Sequence, residues 1–164
     1  MIIYLKNKHT LSVDQFDFEC CIGKHGISKK KIEGDKKTPI GIFNLGPLFY
    51  RKDRIQNIQS KINRVMIKKN MGWCDDIRKP KYYNKLIKVK KNIKHEKLYR
   101  KDSKYDLLIP IKYNYKKIII GKGSCIFIHL TKNLKPTAGC IALKKKDFLI
   151  MLKLIDKKTK IKIS

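Results

Sequence analysis

The chain has 164 residues, of which 42% are hydrophobic and 33% are charged. A chain of this size and composition buries one core, so we expect a single domain over residues 1–164 and exclude general disorder. The formal net charge of +28 favours polyanionic partners, but the basic residues are spread along the chain and few are arginines. Because base readout favours Arg, no nucleic-acid partner is expected, and a basic nucleic-acid-binding module stays as the alternative.

The N-terminal stretch MIIYLKNKHTLSV places its first lysine already at position 6, too early for the apolar core of a signal peptide. No export signal is visible, and no segment approaches the length of a membrane span. The five cysteines are an odd number and include no C-x-x-C pair. They therefore predict neither a zinc site nor a complete disulfide set.

Three short runs rich in β-branched and aromatic residues open the chain, separated by polar turn residues. They predict a small antiparallel meander of three strands, at Ile2–Lys6, Thr10–Val13 and Phe16–Ile22. Cys20 and Cys21, at the end of the third run, are expected to be small buried or half-buried residues.

The lysine-rich stretch from residue 24 to residue 37 ends in a Gly-Asp turn signal and predicts a loop. Further short apolar runs follow, with a strand or helical turn expected at the third; they are Thr38–Phe43, Val65–Ile67, Leu86–Val89 and Tyr105–Lys112. Pro110 places the last of these at a sheet edge or a bulge. Trp73, the single Trp, is either a core anchor or a wall of the substrate cleft.

The unbroken apolar run Cys125–Leu130 predicts a strand covered on both faces. A second apolar run follows at residues 140–143. Apolar residues at helical spacing predict an amphipathic helix over Lys145–Asp156. Ile161 and Ile163 alternate with lysines and predict a final edge strand.

The residues that carry chemistry lie between Gly121 and Leu143. A His and a Cys are each more often structural, but Gly139 precedes the thiol of Cys140 and permits a backbone conformation closed to other residues. The amides of Gly139 and Cys140 are therefore expected to face a developing oxyanion. His129 is expected to take the thiol proton and to lower the pKa of Cys140 from about 8.5 toward neutrality. Cys125 is set aside, because four residues along one strand separate it from His129 by about 13 Å.

These residues also carry a resemblance. Ile128-His129 followed by PTAGCIAL at residues 136–143 resembles the active-site signature of the L,D-transpeptidases of the YkuD (ErfK/YbiS) family, a His followed by [ST]-x-G-C and an apolar strand. GDKKTPIGIF at residues 34–43 is similar to the T-P-x-G-x-F segment of that family. YRKDR, GWCDD and GSCIFIH, at residues 50–54, 72–76 and 123–129, resemble a compact branch common in alphaproteobacteria. The resemblance covers nearly the whole chain.

The resemblance implies a mostly β domain, a β-sandwich with mixed sheets around a cleft, peripheral loops and one C-terminal amphipathic helix. It implies an enzyme that cross-links peptidoglycan stem peptides, with Cys140 as the nucleophile that forms a thioester and His129 as the proton carrier. The carbonyl of Leu130 would orient the imidazole, and Thr137 and Trp73 would face the substrate. No metal or organic cofactor is implied, the oligomeric state is expected to be a monomer, and the chemistry implies the periplasm.

Two positions depart from the family pattern. Many members have a second His at the position of Ala138 and an Arg or Asn at that of Ala142. Cationic contacts to the substrate must therefore come from elsewhere, and the candidates are Arg51, Arg54, Arg100 and Lys122. The donor stem stays open, as does the alternative of an L,D-carboxypeptidase or endopeptidase that releases the same thioester to water.

Overall fold

The computed structural model describes residues 1–164. Strands hold 37% of the residues and a single helix holds 6%, so the prediction of a mostly β fold is confirmed. The helix, α1, spans Lys145–Leu154. The strands are β1 (Ile2–Asn7), β2 (Thr10–Val13), β3 (Phe16–Cys21), β4 (Ile27–Ser28), β5 (Thr38–Pro39), β6 (Gly41–Asn44), β7 (Leu48–Tyr50), β8 (Arg64–Met66), β9 (Met71–Cys74), β10 (Leu86–Lys88), β11 (His95–Lys97), β12 (Leu107–Pro110), β13 (Phe127–Leu130), β14 (Ile141–Leu143) and β15 (Lys160–Ile163).

Ten strands form one curled mixed sheet in the order β6-β15-β1-β2-β3-β14-β13-β12-β7-β8. The pairs β1–β15, β13–β14 and β7–β8 are parallel, and the other neighbours are antiparallel. A smaller sheet, β10-β9-β11, and the short pair β4-β5 complete the fold. The predicted N-terminal meander is confirmed, since β2 pairs antiparallel with both β1 and β3. No helix of the fold has the length and apolar character needed to cross a membrane.

The predicted edge position is wrong for the final strand, and for the strand that ends at Pro110 the edge is excluded while the predicted alternative of a bulge is not. β15 lies between β6 and β1 rather than at an edge, and Ile161 and Ile163 are buried while Lys160 and Lys162, which alternate with them, are exposed. The alternation of apolar and charged residues indicates which face of the strand is exposed to solvent. It carries no information about which strands lie on either side of it in the sheet. β12 is also internal, between β13 and β7. Pro110 is its last residue, and its carbonyl still accepts a hydrogen bond from the N–H of Gly46 at 2.7 Å.

The sheet separates two apolar clusters. The larger contains 26 buried residues and includes Phe148, Met151 and Leu152 of α1, which ends two residues earlier than predicted. The smaller lies on the other face and contains Trp73, Phe127 and Cys140. Successive residues of β13 alternate between the clusters, with Ile128 in the larger and Phe127 in the smaller. The face that carries the smaller cluster is therefore the face that carries the candidate site.

Candidate active site

The parallel pairing of β13 and β14 brings the predicted pair of residues to one face of the sheet. His129 lies opposite Ala142, and Cys140 directly precedes β14. Since residues two apart on a strand point the same way, Cys140 shares the face of Ala142 and His129. His129 is 3% exposed and Cys140 is 7% exposed. Strand pairing thus brings together two residues that lie eleven positions apart in the sequence.

A backbone carbonyl fixes the imidazole of His129. Its Nδ1 lies 2.9 Å from the carbonyl oxygen of Leu130, the contact that the resemblance implied. A carbonyl only accepts, so Nδ1 carries the proton and Nε2 keeps its lone pair. The ring of Tyr105 packs edge-on against the imidazole with centroids 5.4 Å apart. Burial lowers the pKa of His129 to about 4, so the ring is neutral at pH 7 and Nε2 is available as a base.

The thiol of Cys140 bonds to the main chain of the neighbouring strand. It donates to the carbonyl of Cys125 at 3.2 Å and accepts from the N–H of Phe127 at 3.3 Å. Burial raises the pKa of Cys140 to about 12. The expectation of a pKa near neutrality is wrong for this conformation, because the thiol is desolvated and its hydrogen bonds go to the backbone rather than to His129. The resting site holds a neutral thiol beside a neutral imidazole.

Cys125 is nearer to the site than the sequence indicated. β13 begins at Phe127, and Cys125 lies before it with φ 54°. This left-handed residue turns its carbonyl toward Cys140, so the assumption of one straight strand from Cys125 to Leu130 is wrong. An apolar run does not reveal a positive φ, and the preceding Gly123, with φ 104°, was the available signal.

Buried polar groups hold the turn that contains Cys125. The side-chain oxygen of Asn84 accepts from the N–H of Cys125 at 3.2 Å and from Nε1 of Trp73 at 3.0 Å. The carboxylate of Glu33 accepts from Oγ of Ser124 at 2.7 Å and from the hydroxyl of Tyr83. Trp73, also packed edge-on against Phe127, is therefore a core anchor that supports the site from beneath.

Gly139 allows the chain to pass close to a second loop. Its φ is +135°, and a Cβ there would lie 2.8 Å from the carbonyl oxygen of Lys37. Oγ1 of Thr38, in the T-P-x-G segment, donates to the carbonyl of Gly139 at 2.9 Å. That contact explains what the segment contributes to the site, and sequence reasoning had assigned it no residue role.

The amide of Gly139 does not face the site as expected. It donates to Oγ1 of Thr137 at 3.0 Å, and the same hydroxyl donates to the carbonyl of Cys140 at 2.6 Å. The N–H of Cys140 makes no hydrogen bond within the chain. Of the two amides proposed for an oxyanion, that of Cys140 is thus the available donor, and Thr137 shapes the turn that presents it.

The predicted loop from residue 24 to residue 37 is held against this turn and contains the short strand β4. The side chain of Lys31 is only 3% exposed. Its ammonium group pairs with Asp35 and donates to the carbonyl of Lys37 at 2.8 Å. A buried lysine therefore fixes the carbonyl that Gly139 approaches.

An open cavity of about 390 Å³ reaches His129 from the side of the loop between β13 and β14. Leu130 and Thr137 line it, as does Ala142. Among the other residues proposed for the substrate, Trp73 lines a separate cavity. Lys122 is exposed and does not line this cavity. Its carbonyl accepts a hydrogen bond from the hydroxyl of Tyr113. The cavity thus gives access to the imidazole, and Cys140 is not among the residues that line it.

Arg100 is engaged rather than directed into the cavity. Its guanidinium pairs with Asp102 at 2.6 Å and with Glu96 at 3.2 Å, and it lies over the ring of Tyr105, 5.3 Å from the centroid. Because Tyr105 packs on His129, Arg100 supports the imidazole indirectly, through the ring of Tyr105. No cluster of three or more His, Cys, Asp or Glu side chains is arranged to hold a metal ion.

The buried thiol leads to a prediction about its reactivity. Because burial raises the pKa of Cys140 to about 12, the thiol is protonated at pH 7. Alkylation of Cys140 by iodoacetamide in the unliganded protein, followed by peptide mass analysis, is expected to accelerate about tenfold per pH unit between pH 7 and pH 10. A plateau near neutral pH that disappears in His129→Ala would instead show that the thiol is paired with the imidazole in solution.

Comparison with known proteins gives a family and a fold. Residues 1–163 match YkuD, the L,D-transpeptidase catalytic domain. Among curated proteins, no sequence matches the chain significantly. Two crystal structures are similar, those of the helical cell shape determining protein Pgp2 from Campylobacter jejuni and of its K307A mutant. Both are 17% identical and superpose with a TM-score of 0.51 over 99% of this chain.

The chain spans less than half of each Pgp2 chain, 45% of the mutant and 46% of the other. At this identity the likeness concerns the fold. The family match covers nearly all of the sequence and includes both His129 and Cys140. The chain therefore belongs to the YkuD family of L,D-transpeptidase catalytic domains.

Proposed function

We propose that this chain is a peptidoglycan L,D-transpeptidase that joins stem peptides through a thioester on Cys140. The observation that carries the proposal is the orientation of His129, whose Nδ1–H is held by Leu130 and whose Nε2 is available on the face that carries Cys140. A thiol and a neutral imidazole base on one face are the two groups that thiol-based acyl transfer needs.

The first step begins with a rotation of the thiol. Sγ of Cys140 leaves the carbonyl of Cys125 and turns toward Nε2 of His129, which takes the proton as sulfur attacks the carbonyl carbon of an L-centred donor residue. The tetrahedral oxygen gains negative charge, and the N–H of Cys140, which makes no hydrogen bond within the chain, would donate to it. The resting bond to Cys125 thus keeps the thiol unreactive until a donor occupies the site.

The intermediate collapses when the C–N bond breaks. The imidazolium of His129 gives its proton to the departing amine, and the acyl group remains on sulfur as a thioester. An amine of a second stem then attacks, His129 removes its proton, and the thiol is regenerated with a new amide bond. Water in place of the amine gives a shortened monomer, which is the outcome of a carboxypeptidase.

Product analysis separates these outcomes. Purified protein incubated with a disaccharide-tetrapeptide is expected to form a cross-linked dimer and a released D-amino acid, both detected by mass spectrometry. A shortened monomer without dimer would identify the protein as a hydrolase that uses the same thioester. Full recovery of the tetrapeptide at every enzyme concentration would reject the proposed function.

The charge of the protein suits an acidic wall polymer as substrate. A net charge of +28 attracts any polyanion, and stem peptides carry free carboxylates. We infer that the protein acts in the periplasm, where such a polymer lies. A nucleic-acid-binding module would instead show steeply salt-dependent binding to DNA or RNA and no Cys140-dependent turnover.

A further inference from the structure

Two neighbouring loops expose large apolar side chains to solvent. One is the lysine-rich loop before β5, and the other, residues 112–122, lies between β12 and β13. We call the exposed apolar residues of these loops the apolar tip: Ile32, Tyr115, Ile119 and Ile120. The loops are adjacent, because the N–H of Glu33 donates to the carbonyl of Gly121 at 2.8 Å. Exposed apolar groups that lie together on a protein surface mark a place of interaction.

Hydrogen bonds fix the backbone that carries the isoleucines. Oδ1 of Asn114 accepts from the N–H of Ile119 at 2.8 Å, and its Nδ2 donates to the carbonyls of Ile119 and Gly123 at 2.9 and 3.0 Å. The carbonyl of Asn114 in turn accepts from the buried side chain of Asn84 at 2.9 Å. Because both ends of the loop are tied to one side chain, Ile119, which is 53% exposed, is held away from the core.

The second loop is basic and carries no carboxylate. Residues 112–122 contain four lysines, and no Asp or Glu occurs between Asp106 and Asp147. None of these four lysines forms an ion pair; the lysines of the chain that do are Lys6, Lys31, Lys94 and Lys144. The ammonium group of Lys112 lies over the ring of Tyr115, 5.2 Å from its centroid. Positive charge and apolar surface are therefore interleaved on this loop.

The acidic residues of the first loop do not offset this charge. The carboxylate of Glu33 accepts from the side chains of Ser124 and Tyr83, and Asp35 is paired with the buried Lys31. The exposed ionic groups beside Ile32 are instead those of further lysines, such as Lys30. The surface around the apolar tip thus presents cations without free anions.

A bilayer that contains anionic phospholipid fits this combination. Apolar side chains that project from a loop enter the boundary between headgroups and acyl chains, and lysines around them reach the phosphates. Tyrosine is also favoured at that depth. A second copy of the chain would bring two basic surfaces together, and their charges would repel. A nucleic acid would use the lysines but would leave the isoleucines in water.

Docking through this surface leaves the candidate active site accessible. The loop follows β12, whose Pro110 pairs with Phe127 at the start of β13. The cavity beside His129 is lined by Leu130, at the end of β13, and by the residues that follow it. The apolar tip and the cavity therefore lie at opposite ends of this strand, and a docked protein turns the cavity away from the lipid.

We propose that the apolar tip and the lysines of residues 112–122 form a docking surface for bilayers that contain anionic phospholipid. The inference goes beyond the proposed function and does not depend on the chemistry at Cys140. It predicts reversible attachment that needs both the positive charges and the apolar side chains.

Sedimentation with vesicles at physiological ionic strength tests both requirements. Vesicles of phosphatidylglycerol and phosphatidylcholine in equal parts are expected to bind the wild-type protein at least about tenfold more strongly than vesicles of phosphatidylcholine alone. Ile119→Ser/Ile120→Ser keeps every charge and is expected to weaken binding about tenfold or more. Lys116→Gln/Lys117→Gln is expected to weaken it about 10- to 30-fold.

Lys145→Gln/Lys146→Gln is the matched control for charge. It makes the same change in net charge on α1, which follows Leu143, the partner of Leu130 at the far end of β13. Because salt screens charges that lie more than about 10 Å from the lipid, this variant should keep most of the binding. Thermal unfolding of each variant checks that these exposed substitutions leave the fold intact.

A fluorescence measurement reports insertion directly. Trp73 is buried, so the exposed indole of Ile119→Trp is the group that responds to lipid. Its emission is expected to shift to shorter wavelength when phosphatidylglycerol vesicles are added, and to stay unchanged with phosphatidylcholine alone.

Several results would overturn the inference. They are equal binding to the two kinds of vesicle, undiminished binding of Ile119→Ser/Ile120→Ser, and equal losses in the two lysine variants, which would mean that net charge alone attracts the protein. A wild-type protein that ignores vesicles but self-associates, and becomes monomeric in Ile119→Ser/Ile120→Ser, would assign the surface to contact between copies. Turnover of a tetrapeptide is measured separately without lipid, so failure of the proposed function is distinguishable from failure to dock.

Discussion

Cys140→Ala is expected to lower the turnover of a tetrapeptide donor by at least about 10⁴-fold, because it removes the nucleophile and leaves only binding and polarisation of the carbonyl. The variant is also expected to lose the covalent intermediate. Intact-mass analysis of the wild-type protein with donor and without acceptor should show the acyl group added to Cys140, and the variant should show the unmodified mass.

Cys125→Ser is the matched control for this change. It removes the other thiol near the site while keeping the backbone carbonyl to which Cys140 donates. Most of the activity and the acyl adduct should remain. An adduct on Cys125 would contradict the mechanism proposed above. So would activity that survives in Cys140→Ala and is lost in Cys125→Ser, because either result would make Cys125 the nucleophile.

Gly139→Ala is expected to lower the free energy of unfolding by about 3 kcal/mol, since it combines a φ that side chains rarely adopt with close approach to backbone. The new Cβ would lie 2.8 Å from the carbonyl oxygen of Lys37. That carbonyl is held by the buried Lys31 and has little freedom to move. Activity should fall as well, because Gly139 positions the N–H of Cys140.

Gly26→Ala separates the two causes. Gly26 also has a positive φ, +80°, but a Cβ there meets nothing within 4 Å, so the expected cost is about 1 kcal/mol from backbone conformation alone. Urea unfolding of both variants measures the difference. Equal losses in the two would mean that the contact with Lys37 relaxes freely, and an active Gly139→Ala would remove this glycine from the catalytic argument.

Several features of the fold and of the site could be predicted from the sequence. The β1–β3 meander followed from alternating apolar runs bounded by turn residues. The strand that carries His129 and the strand that follows Cys140 each followed from an apolar run, but their parallel pairing did not. Such patterns report burial on one or both faces, which is a local property of each strand. The G-C pair after a loop and the preceding His were specific enough to suggest the family.

Other features depended on contacts between distant segments. The carboxylate of Glu33 and the side-chain oxygen of Asn84 hold the turn around Cys125, and the hydroxyl of Thr38 holds the turn around Gly139. Nothing in the local sequence of those turns reveals these partners. The lysine-rich stretch before β5 was recognised as a loop, but its contact with Gly139 came from the fold. The same holds for Arg100, whose local charge suggested a substrate contact and whose side chain is paired instead.

The sequence from Gly121 to Leu143 determined by itself which groups are present for chemistry. A thiol, an imidazole and a glycine before the thiol are part of the covalent structure of the chain. Only the tertiary structure decided their protonation and direction. Burial and the bond to Cys125 make the resting thiol neutral, the carbonyl of Leu130 leaves Nε2 of His129 as the base, and the cavity beside it is lined by Lys104. Desolvation and hydrogen-bond partners depend on what surrounds a group in space, and those neighbours come from segments that the local sequence does not specify.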